Sequence, residues 1–154
     1  MSLFSKLNLK VAVIEDVQSH PNADKLYVLK ILADKPRQLV AGIKQFYAPE
    51  QLNGKHIVIV SNIKPAMLRG IESQGMLLAA QLGNEVKVLE APKSAAGEQV
   101  FVEGESVGNT EITIDDFKLI KITTESKKAV FEGKPLKTNK EAVFVDIGDD
   151  ATIR

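Results

Sequence analysis

The chain has 154 residues, 44% of them hydrophobic, which is enough for one domain with a real core. It has no cysteine, which excludes a disulfide framework and a thiolate metal site and suits a reducing compartment. Its 20 basic and 20 acidic side chains cancel, so bulk charge gives no sign of a polyanionic partner.

The charges are unevenly spread. Residues 1–89 carry 11 Lys and Arg against 7 Asp and Glu, residues 90–116 carry 1 against 7, and residues 117–154 carry 8 against 6. A basic first part followed by an acidic stretch can present one electropositive face, although solvated surfaces of mixed sign are the simpler account of charge alone. No apolar run approaches the roughly 20 residues a membrane span needs. Lys6 and Lys10 interrupt any apolar stretch at the N-terminus, so no signal peptide is expected and the cytoplasm is the expected location.

Along the chain the hydrophobic period is mostly two, which means strands. In Leu7–Val17, Leu7, Leu9, Val11 and Val13 share one face, with Ala12 and Ile14 on the other. A turn follows at His20-Pro21-Asn22-Ala23-Asp24, where His20 shapes the loop. Strands are expected at Lys25–Ala33 and Arg37–Ile43. Ala48–Gly54 reads as one short helical turn, with Pro49 near its start and Asn53-Gly54 ending it. Lys55–Asn62 holds the run Ile57-Val58-Ile59-Val60 and is expected to be buried on both faces, with His56 at the surface. A long connection, Ile63–Gly75, leads to a strand beginning at Met76, and Glu85–Leu89 and Gln99–Val102 supply further β segments.

Short strands with one short helix between the third and fourth fit a closed Greek-key barrel whose open end the helix plugs. The alternative is an open β-sandwich, which periodicity alone does not exclude. Residues 109–154 read as an addition to a barrel at 1–108, with strands expected at Phe117–Thr123, Ala129–Phe131 and Ala142–Ile147.

Nothing in the sequence supports catalysis. His20 and His56 are not at metal-ligand spacing, no nucleophile motif or phosphate-cradling glycine loop occurs, and no cofactor or metal is expected. The adjacent pairs Asp115-Asp116 and Asp149-Asp150 would point to opposite faces of a strand.

The informative stretch is Asn62-Ile63-Lys64-Pro65-Ala66-Met67-Leu68-Arg69-Gly70-Ile71-Glu72-Ser73-Gln74-Gly75-Met76. Lys64 and Arg69 can meet phosphates, Asn62, Ser73 and Gln74 can bond sugar, phosphate or base edges, and Met76 offers a polarisable surface to a base. The residues alone leave open a second reading, in which Met76 is core and Ser73 and Gln74 satisfy the turn.

This stretch resembles the signature loop of the tRNA-binding domain family, whose members carry Asn-Leu-Lys-Pro, then Arg/Phe-Gly, then Glu-Ser-Gln-Gly-Met-Leu-Leu. Further likenesses lie in His20–Tyr27, Val40-Ala41-Gly42-Ile43 and Pro49–Lys55, covering roughly residues 8–102 in order. The resemblance implies a mainly β fold: a five-stranded oligonucleotide-binding barrel with a small β-rich C-terminal subdomain. The implied partner is tRNA, gripped by shape and backbone, beside an aminoacyl-tRNA synthetase, most naturally a methionyl type. Carried over by position, the implied RNA-binding residues are Lys30, Arg37, Asn62, Lys64, Arg69, Ser73, Gln74 and Met76. Met67 stands where many members have Lys, which removes one phosphate contact. Phe117–Arg154 is similar to the extension of longer members, which covers the surface that shorter members use to dimerise, so a monomer mimicking a dimer is implied. One branch of the same fold resembles export chaperones, and unfolded-protein binding is the alternative function.

Overall fold

The computed structural model describes residues 2–154 and is mainly β. A 3-10 turn at Leu3–Lys6 precedes β1 (Leu9–Ser19), β2 (Tyr27–Leu32), β3 (Pro36–Ala41), α1 (Pro49–Leu52) and β4 (His56–Val60). Then come β5 (Ala66–Leu68), β6 (Ile71–Ser73), β7 (Met76–Leu77), β8 (Ala79–Leu82), β9 (Glu85–Val88) and β10 (Gln99–Val100). The C-terminal part holds α2 (Ile114–Lys118), β11 (Thr123–Glu125), β12 (Lys128–Phe131), β13 (Lys134–Pro135) and β14 (Thr152–Ile153).

The barrel sheet runs in the order β3-β2-β1-β4-β7, with β10 also paired to β1, and every pairing is antiparallel. Alternation in β1 sends Leu9 and Val11 into one core and Ala12 and Ile14 into the other. The ladder shifts register between Ile14 and Asp16, so Val17 returns to the same core as Ile14 although it lies an odd three positions further along the strand. A bulge does this, and it also sharpens the twist that lets the sheet curl. In β4, Ile57 and Ile59 face the barrel interior while Val58 and Val60 face away into the second core, which accounts for the unbroken apolar run. α1 begins with Pro49, its Gln51 Oε1 accepts the Ala48 N–H at 2.6 Å, and its fully buried Leu52 joins the barrel core.

The second core is shared by both parts of the chain. Phe4, Leu7, Val58, Val60 and Leu78 pack in one cluster with Phe117, Ile120, Ile122, Val143, Val145 and Ile153. The Phe4 and Phe131 rings lie 4.9 Å apart, which ties the first turn to the C-terminal part. A second sheet, ordered β13-β12-β11-β14-β8-β9, joins the parts edge to edge: Thr152 pairs with Gln81 and Ile153 with Ala80.

Two expectations for the C-terminal part need correction. The strand expected at Phe117–Thr123 is replaced by α2 and a later, shorter β11. Thr113 and Asp116 form a reciprocal cap, with Thr113 N–H donating to Asp116 Oδ2 at 3.0 Å and Asp116 N–H to Thr113 Oγ1 at 3.2 Å. That cap starts a helix, and burial of Phe117 and Ile120 follows helical spacing. Asp115 and Asp116 therefore occupy a first helical turn and not a strand. The segment 142–147 keeps its alternation, with Val143, Val145 and Ile147 buried, but makes only isolated bridges such as Phe144 to Glu90. Among the described residues no helix is long and apolar enough to cross a membrane.

Candidate functional site

The connection expected between residues 63 and 75 contains a hairpin, β5–β6, whose two strands pair only with each other. Its turn is Arg69-Gly70, with φ of 53° and 88°. Two successive positive values are what a two-residue hairpin turn of matching twist requires, and Gly70 meets nothing that an added side chain would strike. Ala66, Met67, Leu68 and Arg69 are all exposed. One side of the hairpin is tied to the β1–β2 turn by His20, which is 4% exposed. Its Nδ1 accepts the Asn22 N–H at 3.0 Å, so Nε2 is the nitrogen that donates to Leu68 O at 2.9 Å.

The other side of the hairpin closes the barrel. Gln74 N–H donates to Gln38 O at 2.8 Å, and Gln38 N–H returns to the Gln74 side-chain oxygen at 2.9 Å. Ser73, 5% exposed, accepts the Val40 N–H at 3.0 Å and donates to Gly75 O at 3.0 Å. Two side chains thus stand in for a ladder that β3 and β6 do not complete.

Arg37 and Asn62 are also engaged within the chain. Arg37 forks onto Asp34 through two 3.0 Å bonds and reaches Ser61 O and Gln74 O at 3.1 and 2.8 Å. Its guanidinium bonds hold the Asp34 carboxyl below the usual aspartate range, against a smaller opposing effect of burial. Asn62 accepts the Asn8 N–H at 3.0 Å and donates to Lys6 O and Thr110 O, each at 2.8 Å, pinning both flanks to the loop.

The remaining four of the eight expected positions are differently placed. Lys30 lies exposed on the outer face of β2, opposite Gln38 and Asp16. Lys64 is exposed at the foot of the hairpin and Arg69 at its tip, and neither they nor Lys30 form an ion pair among the described residues. Met76 is half-buried, with one side on the shared core and the other in a groove of about 360 Å³ lined also by Lys64, Pro65, Leu68, Ser73 and Ile114. A more polar groove of about 440 Å³ runs past Arg37, Asn62 and Gln74 on the opposite flank. Ile114 belongs to the part of the chain that sequence reasoning left outside the site. Only the fold brings it there, and no local motif marks it.

His56, expected at the surface, is half-buried and bonded through Nδ1 to Ser94 O at 2.7 Å. Among the described residues no group of His, Asp or Glu is arranged to hold a metal ion.

Residues 9–100 match the family described as "Putative tRNA binding domain". A methionine–tRNA ligase of Thermococcus kodakarensis is 55% identical over 91 residues, which cover 58% of this chain and 12% of that protein. The chain therefore spans only about an eighth of that relative's length. The crystal structure of the C-terminal domain of Plasmodium vivax p43 superposes with a TM-score of 0.91 at 26% identity, covering 98% of each chain. The CsaA chaperone protein of Picrophilus torridus matches at 29% identity and a TM-score of 0.59, over 64% of this chain and 94% of that one.

Proposed function

This chain belongs to the tRNA-binding domain family, and from that premise we propose that it is a non-catalytic, structure-specific tRNA-binding module. It acts in trans or as an appended part beside an aminoacyl-tRNA synthetase of the methionyl type, in the cytoplasm. The observation that carries the reading is the hairpin itself. Its exposed cations, Lys64 and Arg69, form no ion pair among the described residues, while the residues around them are committed to holding it rigid. Cations held at fixed positions without internal partners suit a phosphate backbone, which is gripped by placement and not by base reading.

Within this reading the eight residues divide. Lys30, Lys64, Arg69 and Met76 touch RNA. Arg37, Asn62, Ser73 and Gln74 hold the surface that does, because their polar atoms are satisfied within the chain. Residues 1–108 form the binding barrel. Residues 109–154 act as an extension that occupies the edge of β8 through β14, so the chain works as a monomer mimicking a dimer.

Similarity to the CsaA chaperone supports one second reading, binding of unfolded protein. The two differ in salt response: RNA binding releases counterions and weakens steeply with salt, whereas an apolar groove does not. Titrating the purified chain with mixed tRNA, duplex DNA and an unfolded protein across a salt series separates them. Salt-sensitive binding that favours tRNA is expected. Salt-insensitive binding to the unfolded protein alone refutes the proposal.

A further inference from the structure

Met76 lines not one groove but three. The first runs under the hairpin with Lys64, the second, of about 610 Å³, between α2 and β14 with Lys118, Lys121 and Arg154, and the third, of about 440 Å³, beside β8 with Arg154 again. Ile114, 45% exposed, is shared by the first and second. The three linings contain four cationic side chains and no acidic side chain. Asp115 and Asp116 sit in the first turn of α2 but line none of the grooves, and Asp116 is occupied in capping Thr113.

The ion pairing of the extension follows the same division. Lys127, Lys137 and Lys140 are neutralised by Asp146, Glu103 and Glu98. Lys118 and Lys121, on the Met76 side, form no ion pair among the described residues, and the Arg154 guanidinium bonds only the neutral Gln81 side chain. An apolar floor rimmed by unneutralised cations is the chemistry that receives nucleotides, with bases on the floor and phosphates on the rim.

We propose that the extension carries the second half of the RNA-binding surface. Lys118, Lys121 and Arg154 continue the phosphate contacts begun at Lys64 and Arg69, and an unstacked base lies on the floor formed by Met76 and Ile114. This rests on the tRNA reading above. It gives the extension a direct role in binding, beyond covering an edge of the barrel.

The test uses the full chain and unfractionated tRNA. Lys118→Ala/Lys121→Ala is expected to keep the wild-type melting temperature, because both side chains are exposed. It should lower tRNA affinity and reduce the slope of log affinity against log salt by roughly 1.4–1.8, the contribution of two phosphate contacts. Lys118→Arg/Lys121→Arg should restore both. Bound tRNA should protect Lys118 and Lys121 from acetylation but leave Lys128, exposed and outside the grooves, reactive. Ile114→Glu should weaken binding more than Ile114→Gln.

If affinity, slope and acetylation are unchanged while Lys64→Ala/Arg69→Ala still weakens binding, the extension does not touch RNA and the inference is overturned, with the tRNA reading intact. Protection of these lysines by an unfolded protein, with no tRNA binding by the unsubstituted chain, overturns both.

Discussion

Ser73→Ala separates a residue that contacts RNA from one that builds the surface for it. The Ser73 hydroxyl is the acceptor for the Val40 N–H and a donor to Gly75 O, both at 3.0 Å, in a position 5% exposed to solvent. Removing it leaves a backbone donor and a carbonyl without those partners where water hardly reaches. An unsatisfied buried group costs about 1–3 kcal/mol. For a chain of this size each kcal/mol lowers the melting temperature by about 2–4 °C, so a fall of roughly 2–12 °C is expected. The assay is a thermal melt paired with a tRNA titration well below the transition, with affinity expressed per folded molecule. Affinity should fall less than the melt implies, because the cations remain in place and only their support loosens. An unchanged melting temperature with a tenfold or greater loss of affinity would refute the reasoning and make Ser73 a direct contact.

Arg69→Ala and Lys64→Ala should each weaken binding by similar factors for all tRNAs and reduce the salt slope by about 1, measured by titration at several salt concentrations. Strong selectivity among tRNAs that vanishes with either substitution would show base reading instead. Asp34 has its folded-state pKa depressed by the Arg37 guanidinium, so its contribution to stability is present at neutral pH and is lost as pH falls below the ordinary aspartate range, through the lowered folded value. Denaturation midpoints should therefore show Asp34→Asn destabilising near neutrality and converging on wild type in acid. Gly108→Ala would place a methyl carbon 2.1 Å from Lys6 O and force apart the seam that Gly108 N–H closes onto Leu7 O. A clear drop in melting temperature is expected there, against little change for Gly42→Ala, whose added carbon meets Leu26 Cδ2 at an ordinary 3.7 Å.

The barrel was legible because its strands carry their burial in their own alternation. β1 splits Leu9 and Val11 from Ala12 and Ile14, and β4 shows by its unbroken Ile57–Val60 run that both of its faces are covered. Periodicity alone did not show which residues cover the second face, since Phe117, Ile122 and Val145 are brought there by topology over long sequence separations; only the family resemblance pointed to the C-terminal part. α2 was missed although its Thr113–Asp116 cap stands in the sequence, because the apolar residues after it also fit an alternating pattern. In the candidate site, residue type could not distinguish Lys64, exposed and without an ion pair among the described residues, from Asn62, whose side chain holds together three backbone segments. A polar side chain able to bond RNA is equally able to bond its own backbone, and only the closed barrel decides which it does.

The shared core implies that residues 2–108 are not a self-sufficient monomer. Val11, Val58, Val60, Leu78 and Leu89 are essentially inaccessible and lie in the same cluster as the apolar side chains of the extension. Full exposure of such a side chain costs about 1.5–3 kcal/mol. Baring even three of them is comparable to the roughly 5–15 kcal/mol that holds a domain folded. Cutting the chain after Gly108 also removes β14 and leaves the edge of β8 unpaired. The fragment must find another cover for that face and edge, and a second copy of itself offers matching surfaces. Sedimentation should therefore show the full chain as a monomer at micromolar concentration and the 1–108 fragment as a dimer, or as an aggregate where pairing fails. A fragment that stays monomeric and melts cooperatively at the full chain's temperature would show that the extension contributes neither core nor cover.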